Sequence, residues 1–380
     1  NAWKTMMKLG VDYINTDKTG ELAAYLRNRV QSQFQGDSAH KAYKPAYRNN
    51  DRQSKVKNII LLIGDGMGLA HVYAGYTANF GQLNLFGMLN IGFSKTASSD
   101  SYITDSAAGG TAMASGKKTK NRSVGVDHTG VAIPAIPDLA APLGIRSALI
   151  TSGDLTDATP AAFYGHTTER DRHADIAGGL LESPVSILIG AGGKHFEGME
   201  EQLRKKGFAI AQDLAAADTI RSRKFMVLND SAQLRVAQGR GDFLTRSLQT
   251  AIRSLQRQPG GFFIMEESAQ IDWGGHMNSV PYLTSEMLDF DRAIGEAMRF
   301  ADSNGETLVI VTADHETGGL TLLDGNISKG YVDGHFSTND HTAVMVPVFA
   351  YGPHSADFRG VYENTDIFHK IMRILRRYQN

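Results

Sequence analysis

The sequence contains no cysteine, which excludes disulfide bonds and thiolate metal sites and leaves the redox compartment open. Neither sign of charge dominates, because 39 Lys and Arg residues face 40 Asp and Glu residues. This balance gives no electrostatic reason to expect binding to nucleic acid or to an anionic membrane. No uninterrupted apolar run approaches the roughly 20 residues that a membrane-spanning helix needs. At 42% hydrophobic and 21% charged over 380 residues, the chain has the composition of a globular protein with a large core.

The start of the chain is mostly polar. Residues 1–8 do not form the apolar core of a signal peptide and do not begin with methionine, so we expect that a leader or tag has been removed. Apolar residues at helical spacing between residues 21 and 33 predict an amphipathic helix. We therefore divide the chain into an N-terminal helical arm and connector, residues 1–55, and a single α/β domain, residues 56–380.

Apolar runs typical of buried strands recur along this domain, and most of them end at glycine or at an acidic residue. They cover residues 59–63, 147–151, 185–189, 262–265, 308–311 and 346–351. Helical patterns, such as residues 285–302, lie between them. The alternation predicts a mostly parallel central β-sheet flanked by helices on both faces, which is an α/β fold. Residues from about 194 to 260 are richer in charge and lack strong strand signals, which predicts a helical insertion over one edge.

Potential metal ligands follow several of these strands. Asp65, Glu267 and Asp314 fall at strand ends, where parallel sheets bind their ligands. Further candidates are close in sequence, namely Asp272, His276, His315, Asp340 and His341. Carboxylate and imidazole without thiolate suit Zn²⁺, and the surplus of carboxylates suits a harder ion such as Mg²⁺. A lone histidine is more often a surface or hydrogen-bonded residue, but several Asp/His clusters at strand ends favour a metal site.

The stretch from Tyr102 to Thr111 places Ser106 directly after Asp105 and before a run of very small residues. Free N–H groups and the positive end of a helix would favour the alkoxide of Ser106, which would make it a nucleophile that faces an anion. The alternative is an ordinary helix N-cap in a closely packed helix. By itself the stretch favours the alternative, because short motifs often match by chance.

Two further residues have a functional and a structural interpretation. Arg170 can present a planar fork to a phosphate, although by itself a surface salt bridge with Glu169 or Asp171 is favoured. Thr159 lies in an Asp-x-Thr-Pro turn and would by default cap a helix.

Taken together, these motifs resemble the alkaline phosphatase family. The signature is Ile103–Thr111, ITDSAAGGT, which matches the family pattern throughout. The supporting segments, in the same chain order, are 64–66, 157–160, Arg170, 267–276, 313–316 and 341–343. The resemblance covers the chain from about residue 57 to the end and is thin across the insertion.

The resemblance implies two Zn²⁺ and one Mg²⁺. The ligands of the first zinc would be Asp272, His276 and His341. The ligands of the second zinc would be Asp65, Asp314, His315 and the oxygen of Ser106. The magnesium ligands would be Asp65, Thr159 and Glu267, with Asp157 acting through ordered waters.

The resemblance also implies an activity. Ser106 would attack a phosphate monoester and form a phosphoserine, which is then hydrolysed to release inorganic phosphate and an alcohol. Arg170 and the N–H of Ala107 would bind the phosphate, and Asp105 would orient Arg170. Small-molecule phosphate monoesters are the implied substrates, a homodimer the implied assembly, and the periplasm or the exterior the implied location.

One pair of positions departs from a uniform family pattern, because Asp157 is combined with Trp273. Asp157 favours magnesium, since hard ions prefer oxygen ligands. Trp273 offers no charge to phosphate, so we expect the product to be released more readily than from a site with lysine there. His166 and His335 lie near ligands in sequence, and we expect both to act behind the ligands or as structural residues.

Other functions share parts of this pattern. A phosphodiesterase or phosphomutase could use the same sheet, but Ser106 combined with Arg170 argues against it. A zinc- or phosphate-binding protein without activity is the non-enzymatic alternative. A sulfatase is disfavoured, because the sequence has neither cysteine nor a Ser-x-Pro-x-Arg motif.

Overall fold

The structure is a computed structural model that describes residues 19–257 and 259–378. The arm before residue 19 lies outside the described residues. The helices are α1 Thr19–Ser32, α2 Leu69–Ala78, α3 Ser106–Ser115, α4 Ile136–Ala140, α5 Ala158–Ala161, α6 His173–Gly179, α7 Glu200–Lys205, α8 Leu214–Thr219, α9 Phe243–Gln256, α10 Gln270–His276, α11 Val280–Asn304 and α12 Asn364–Tyr378.

The strands complete the chain order. They are β1 Gln33–Gln35, β2 Asn58–Gly64, β3 Asn90–Lys95, β4 Arg146–Asp154, β5 Ile187–Ala191, β6 Phe208–Ala211, β7 Lys224–Leu228, β8 Phe262–Ser268, β9 Thr307–Thr312, β10 Glu316–Thr317, β11 Leu320–Asn326, β12 Tyr331–Phe336, β13 His341–Thr342, β14 Val346–Tyr351 and β15 Gly360–Glu363.

The main sheet has ten strands in the order β15-β3-β14-β9-β2-β8-β4-β5-β7-β6. Among these strands β14 alone runs against the others, since it pairs antiparallel with both β3 and β9. The central strand β2 is buried along its whole length, as its unbroken apolar sequence predicts. Its register aligns Leu61 with Met265 of β8 and with Ile310 of β9. The predicted mostly parallel α/β sheet is confirmed.

Helices cover both faces of this sheet. Alternate residues of β2 contribute to two separate apolar clusters, because successive side chains of a strand point to opposite faces. One cluster joins Ile60 to Met287 of α11, and the other joins Ile59 to Ile371 of α12. No helix among the described residues is both long and apolar enough to cross a membrane.

The segment from 194 to 260 contains the helices α7, α8 and α9 that the sequence analysis expects. It also contains β6 and β7, which extend the main sheet in parallel beyond β5 and which the sequence analysis does not predict. Their apolar runs at 208–211 and 225–228 are as long as the run at 262–265, but the charged residues around them hide the strand signal. The segment is therefore the edge of the sheet and carries its own covering helices.

Two small sheets sit at the rim of the main one. In the first, β1 adds to β12, with Phe34 opposite Val332, so the described part of the N-terminal arm is attached to the body. In the second, β10 pairs with β13 and brings Thr317 opposite His341. This short pairing connects two segments that carry candidate metal ligands.

Candidate metal centre

Adjacent strands deliver the three acids to one edge of the sheet. Asp65 directly follows β2, Glu267 is the second-last residue of β8, and Asp314 lies two residues after β9. Because β9, β2 and β8 are neighbours in the sheet, their carboxyl ends meet. All three side chains are buried. The structure therefore concentrates negative charge at the place where an α/β sheet binds its ligands.

Asp65, Asp314 and His315 form the first group, with their ligand atoms within 4.8 Å of one another. Nε2 of His315 lies 3.3 Å from Oδ1 of Asp65 and 3.3 Å from Oδ2 of Asp314. These two buried carboxylate oxygens accept no hydrogen bond from the described residues. Burial and the nearby carboxylate of Asp272 raise the pKa of Asp314 to about 6. A bound cation would give both oxygens a partner and offset the free-energy cost of burying their negative charge, so the group fits a metal ion.

Asp272, His276 and His341 form the second group. Asp272 and His276 lie four residues apart on α10 and so share one face of the helix. Oδ2 of Asp272 is 3.3 Å from Nε2 of His276, and Oδ1 is 3.6 Å from Nε2 of His341. The two Nε2 atoms lie only 3.2 Å apart.

The far side of each imidazole explains why both Nε2 atoms can face each other. Nδ1 of His276 lies 2.7 Å from the carbonyl oxygen of Asn339, and Nδ1 of His341 lies 2.9 Å from that of Thr104. A carbonyl only accepts hydrogen bonds, so each Nδ1 carries a proton, and each ring in its neutral form would have its Nε2 lone pair free. Imidazoles oriented in this way are ready to bind a metal.

Thr317, which the sequence analysis missed, connects the two groups. Its hydroxyl donates to Oδ1 of Asp272 and therefore accepts from Nδ1 of His315, at 3.1 Å. His315 thus has its Nε2 lone pair directed to Asp65 and Asp314, and burial, with the adjacent His341 ring, lowers its pKa well below the usual range. The space for Thr317 requires Gly66, because a Cβ there would lie 2.6 Å from the hydroxyl oxygen. The only sequence signal is its position two residues after His315.

A third carboxylate, Glu267, lies on the other side of Asp65. Thr151 donates a hydrogen bond to Oε2 of Glu267 and stands opposite it in the parallel register of β4 and β8. Burial raises the pKa of Glu267 to about 8, although Thr151 opposes the shift. The hydroxyl of Thr159 is 3.5 Å from Oδ2 of Asp65. Asp157 precedes α5 as its cap residue and Thr159 lies inside that helix, so the cap interpretation of Thr159 is wrong.

Ser106 is the first residue of α3, and the residue that caps this helix is Asp105. Oδ1 of Asp105 accepts from the N–H of Ala108 at 3.0 Å, so Ser106 is not the N-cap that the structural interpretation requires. Oγ of Ser106 is buried and lies 3.1 Å from Nε2 of His315. The small residues still serve close packing, since a Cβ on Gly109 would lie 3.0 Å from the carbonyl oxygen of Asp314.

Arg170 reaches the same place from the segment before α6. Its Nη1 lies 3.2 Å from Oδ2 of Asp105, and its Nη2 lies 3.9 Å from Oδ1 of Asp157. The surface salt bridge that the sequence favoured is wrong, because Glu169 and Asp171 pair with Arg122 instead. Asp105 therefore links the serine and the arginine.

The remaining candidate residues differ in their burial and in their distance from the candidate ligands. Trp273 is half-buried on α10, next to Asp272. His166 is exposed, and its Nδ1 lies 2.6 Å from the carbonyl oxygen of Gly125. His335 is exposed on β12, and within the described ranges no hydrogen bond joins either histidine to a candidate ligand. Asp340, by contrast, can approach a metal, since its carboxylate lies within 4.8 Å of His276 and His341 ligand atoms.

A mostly parallel α/β sheet whose strand ends gather buried aspartate and histidine around a serine fits the class of metal-assisted hydrolases. Comparison with known proteins makes this specific. The family model described as alkaline phosphatase matches residues 56–206, 233–333 and 331–377, and the chain belongs to that family. It is accordingly a hydrolase that acts on phosphate monoesters.

Individual relatives match this chain over most of its length. Alkaline phosphatase 4 of Bacillus subtilis is 29% identical across 90% of this chain and 94% of its own length. Streptomycin-6-phosphate phosphatase of Streptomyces griseus is 31% identical across 82% of this chain and 89% of its own. The alkaline phosphatase of the Antarctic bacterium TAB5 superimposes with a TM-score of 0.81 and 39% identity, covering 86% of this chain and 99% of that enzyme. A variant of the TAB5 enzyme has been solved with magnesium bound.

Proposed function

We propose that this protein hydrolyses phosphate monoesters through a phosphoserine formed on Ser106, at a site that holds two Zn²⁺ and one Mg²⁺. The observation that carries the proposal is the position of Oγ of Ser106, 3.1 Å from Nε2 of His315 and beside the unsatisfied oxygens of Asp65 and Asp314. A nucleophile buried among candidate metal ligands is what phosphoryl transfer from an ester to a serine requires.

The metal ligands follow from the two groups and the third carboxylate. Asp272, His276 and His341 would hold one zinc. Asp65, Asp314, His315 and Ser106 would hold the other. Asp65, Thr159 and Glu267 would hold magnesium, with Asp157 nearby. When bound, these ions supply Lewis acidity that lowers the pKa of the serine hydroxyl and stabilises charge on the attacking and leaving oxygens.

The residues of the chain supply the remainder of the chemistry. Ser106 sits in the first turn of α3, where free N–H groups and the helix dipole favour an alkoxide. Its Oγ forms the bond to phosphorus while the ester bond to the alcohol breaks. Arg170, with the N–H of Ala107, neutralises charge on the equatorial phosphate oxygens, and Asp105 orients Arg170 for this contact. Water then forms a bond to phosphorus as the Oγ–P bond breaks, which releases inorganic phosphate, and a proton from this water returns to Oγ and restores the serine.

The experiment that tests this proposal compares an aryl phosphate monoester with the corresponding diester on one preparation. We expect kcat/KM for the monoester to exceed that for the diester by at least about a thousandfold. The proposed site binds three non-bridging phosphate oxygens, and a diester has only two. A higher rate on the diester would replace the proposal with a phosphodiesterase. Absence of turnover on both would favour a zinc- or phosphate-binding protein.

A second prediction concerns Trp273. The variant Trp273→Lys places a positive charge beside Asp272, and we expect it to lower the inhibition constant for phosphate by about tenfold. The variant Trp273→Phe removes the indole without adding charge and should leave that constant within about twofold of wild type. Inhibition that is the same in Trp273→Lys and wild type would show that this position does not influence product release.

Assembly and location rest on family membership alone. We propose a homodimer that acts in the periplasm or outside the cell, on small-molecule monoesters. Light scattering in solution measures the mass of the assembly, and a value equal to one chain would contradict the dimer.

A further inference from the structure

Four side chains outside the metal centre form a hydrogen-bonded chain, which we call the His173 network: Asp154, Thr156, His173 and His195. Asp154 is the last residue of β4, and His173 is the first residue of α6. His195 follows β5 in the short 3-10 helix Gly193–Phe196, which Gly192 precedes. Among the described residues, none of these four belongs to a candidate group of metal ligands.

Asp154 is the centre of the network. Its Oδ1 accepts from the N–H of Thr156 at 2.8 Å and from the hydroxyl of Thr156 at 2.9 Å. Its Oδ2 lies 3.2 Å from Nε2 of His195. The carboxylate is pressed against the next loop, since a Cβ on Gly192 would come within 2.0 Å of Oδ1. Asp154 therefore has one well-defined position.

Thr156 passes the connection to His173. Its hydroxyl has one proton and donates it to Asp154, so it must accept from Nδ1 of His173, which lies 2.9 Å away. Thr156 is fully buried, which makes this bond hard to replace with water. The rings of His173 and His195 stack with centroids 4.2 Å apart, so His195 supports His173 from its face.

This network joins the two segments that bind phosphate and magnesium in the proposed function. On one side, Thr156 immediately precedes Asp157, whose N–H donates to the carbonyl oxygen of Asp154 at 2.9 Å. On the other side, His173 lies three residues after Arg170.

The opposite end of the Arg170 segment is attached at Thr167, which exchanges backbone hydrogen bonds of 2.8 and 2.9 Å with Val124. The His173–Thr156 bond is thus a further anchor of that segment, in addition to the ion pairs of Glu169 and Asp171 with Arg122.

We propose that Thr156 and His173 are positioning residues that set the place of Arg170 relative to Asp157 and thereby the affinity for phosphate. This inference rests on the proposed function, in which Arg170 binds phosphate. It predicts that the hydrogen bond between the two side chains matters for binding as well as for folding.

The test measures the binding of inorganic phosphate to the zinc- and magnesium-loaded enzyme by titration calorimetry. Thr156→Val removes the hydroxyl at nearly constant shape, and we expect it to raise the dissociation constant by about tenfold. Thr156→Ser restores the hydroxyl and should return the constant to within about twofold of wild type. His173→Leu should act like Thr156→Val, whereas His173→Asn keeps a donor near the position of Nδ1 and should be milder.

Tyr378→Phe is a matched control. Its hydroxyl lies 2.7 Å from Nε2 of the buried His354, so the variant also loses a hydroxyl–imidazole hydrogen bond. His354 follows β14, which runs antiparallel to β9. His354 therefore lies at the opposite end of the strands from Asp314, which follows β9. Tyr378→Phe should lower the melting temperature without changing phosphate binding.

The outcomes separate the two proposals. If wild type binds phosphate and Thr156→Val binds it equally well, the network proposal is overturned while the proposed function stands. Equal weakening in Tyr378→Phe and Thr156→Val would also overturn it, since the effect would then be general destabilisation. If Thr156→Val does not fold, His173→Leu against His173→Asn decides, because His173 is only half-buried. A wild type that neither binds nor hydrolyses phosphate esters refutes both proposals.

Discussion

Replacing Ser106 with alanine is expected to reduce kcat/KM for an aryl phosphate by about a thousandfold or more. The variant removes the only oxygen at the start of α3 that lies within hydrogen-bonding distance of His315 in the described structure. The two metals and Arg170 would still bind phosphate, so calorimetry should find phosphate binding largely retained. A loss of turnover without a loss of binding is the signature of a missing nucleophile.

The same helix offers the control for this experiment. Ser115 ends α3, is buried, and donates to the carbonyl oxygen of Thr111 at 2.7 Å. Ser115→Ala therefore tests the cost of losing a buried hydroxyl from this helix, and its activity should stay within about threefold of wild type. Turnover by Ser106→Ala at the rate of Ser115→Ala would exclude the phosphoserine route.

Removal of the metals is expected to abolish turnover, and zinc with magnesium together should restore it. Asp65, Glu267 and Asp314 are all buried at the ends of adjacent strands. Burial is the largest cause of the raised pKa of each of these three carboxyl groups. Without cations these buried carboxylates repel one another, so we also expect the chelated protein to melt at a lower temperature. Elemental analysis before and after dialysis against a chelator, with turnover and melting temperature on the same samples, measures both effects.

Magnesium alone or zinc alone provides the internal control. Zinc alone should restore part of the activity, because the groups built on His315 and on His276 contain imidazole, whereas the carboxylate and hydroxyl set around Glu267 suits magnesium. Full activity in a sample shown by elemental analysis to contain no metal would refute the proposed mechanism.

Three of the candidate ligands could be predicted from sequence because they lie where unbroken apolar runs stop. Ile59 to Ile63 reads as a buried strand, and the position of Asp65 at its end follows without any knowledge of packing. The same reasoning applies to Glu267 and Asp314. Topology then decides that these ends are neighbours, and the strand order β9-β2-β8 supplies that information.

Other features depend on register or on short elements and escape a sequence analysis. Thr151 and Thr317 are threonines like many others until pairing brings them to Glu267 and Asp272. The partner of Arg170 is also undetermined in sequence, because Glu169 and Asp171 are adjacent to it and yet both bind Arg122. Competition between two arginines for the same carboxylates is a tertiary effect.

The reversed strand β14 has a consequence for how the site can vary. Since β14 pairs antiparallel with β9, Phe349 lies opposite Val311, and the chain leaves the sheet and returns to it at the same edge. Residues 313–345 therefore form one long connection between β9 and β14. It begins with Asp314 and His315 and contains His341 near its end. Such a connection can lengthen or shorten in its middle while the candidate ligands near both of its ends stay fixed by the sheet. We expect homologues to differ most in length within this stretch, around residues 320–336, with little change in the register of the core.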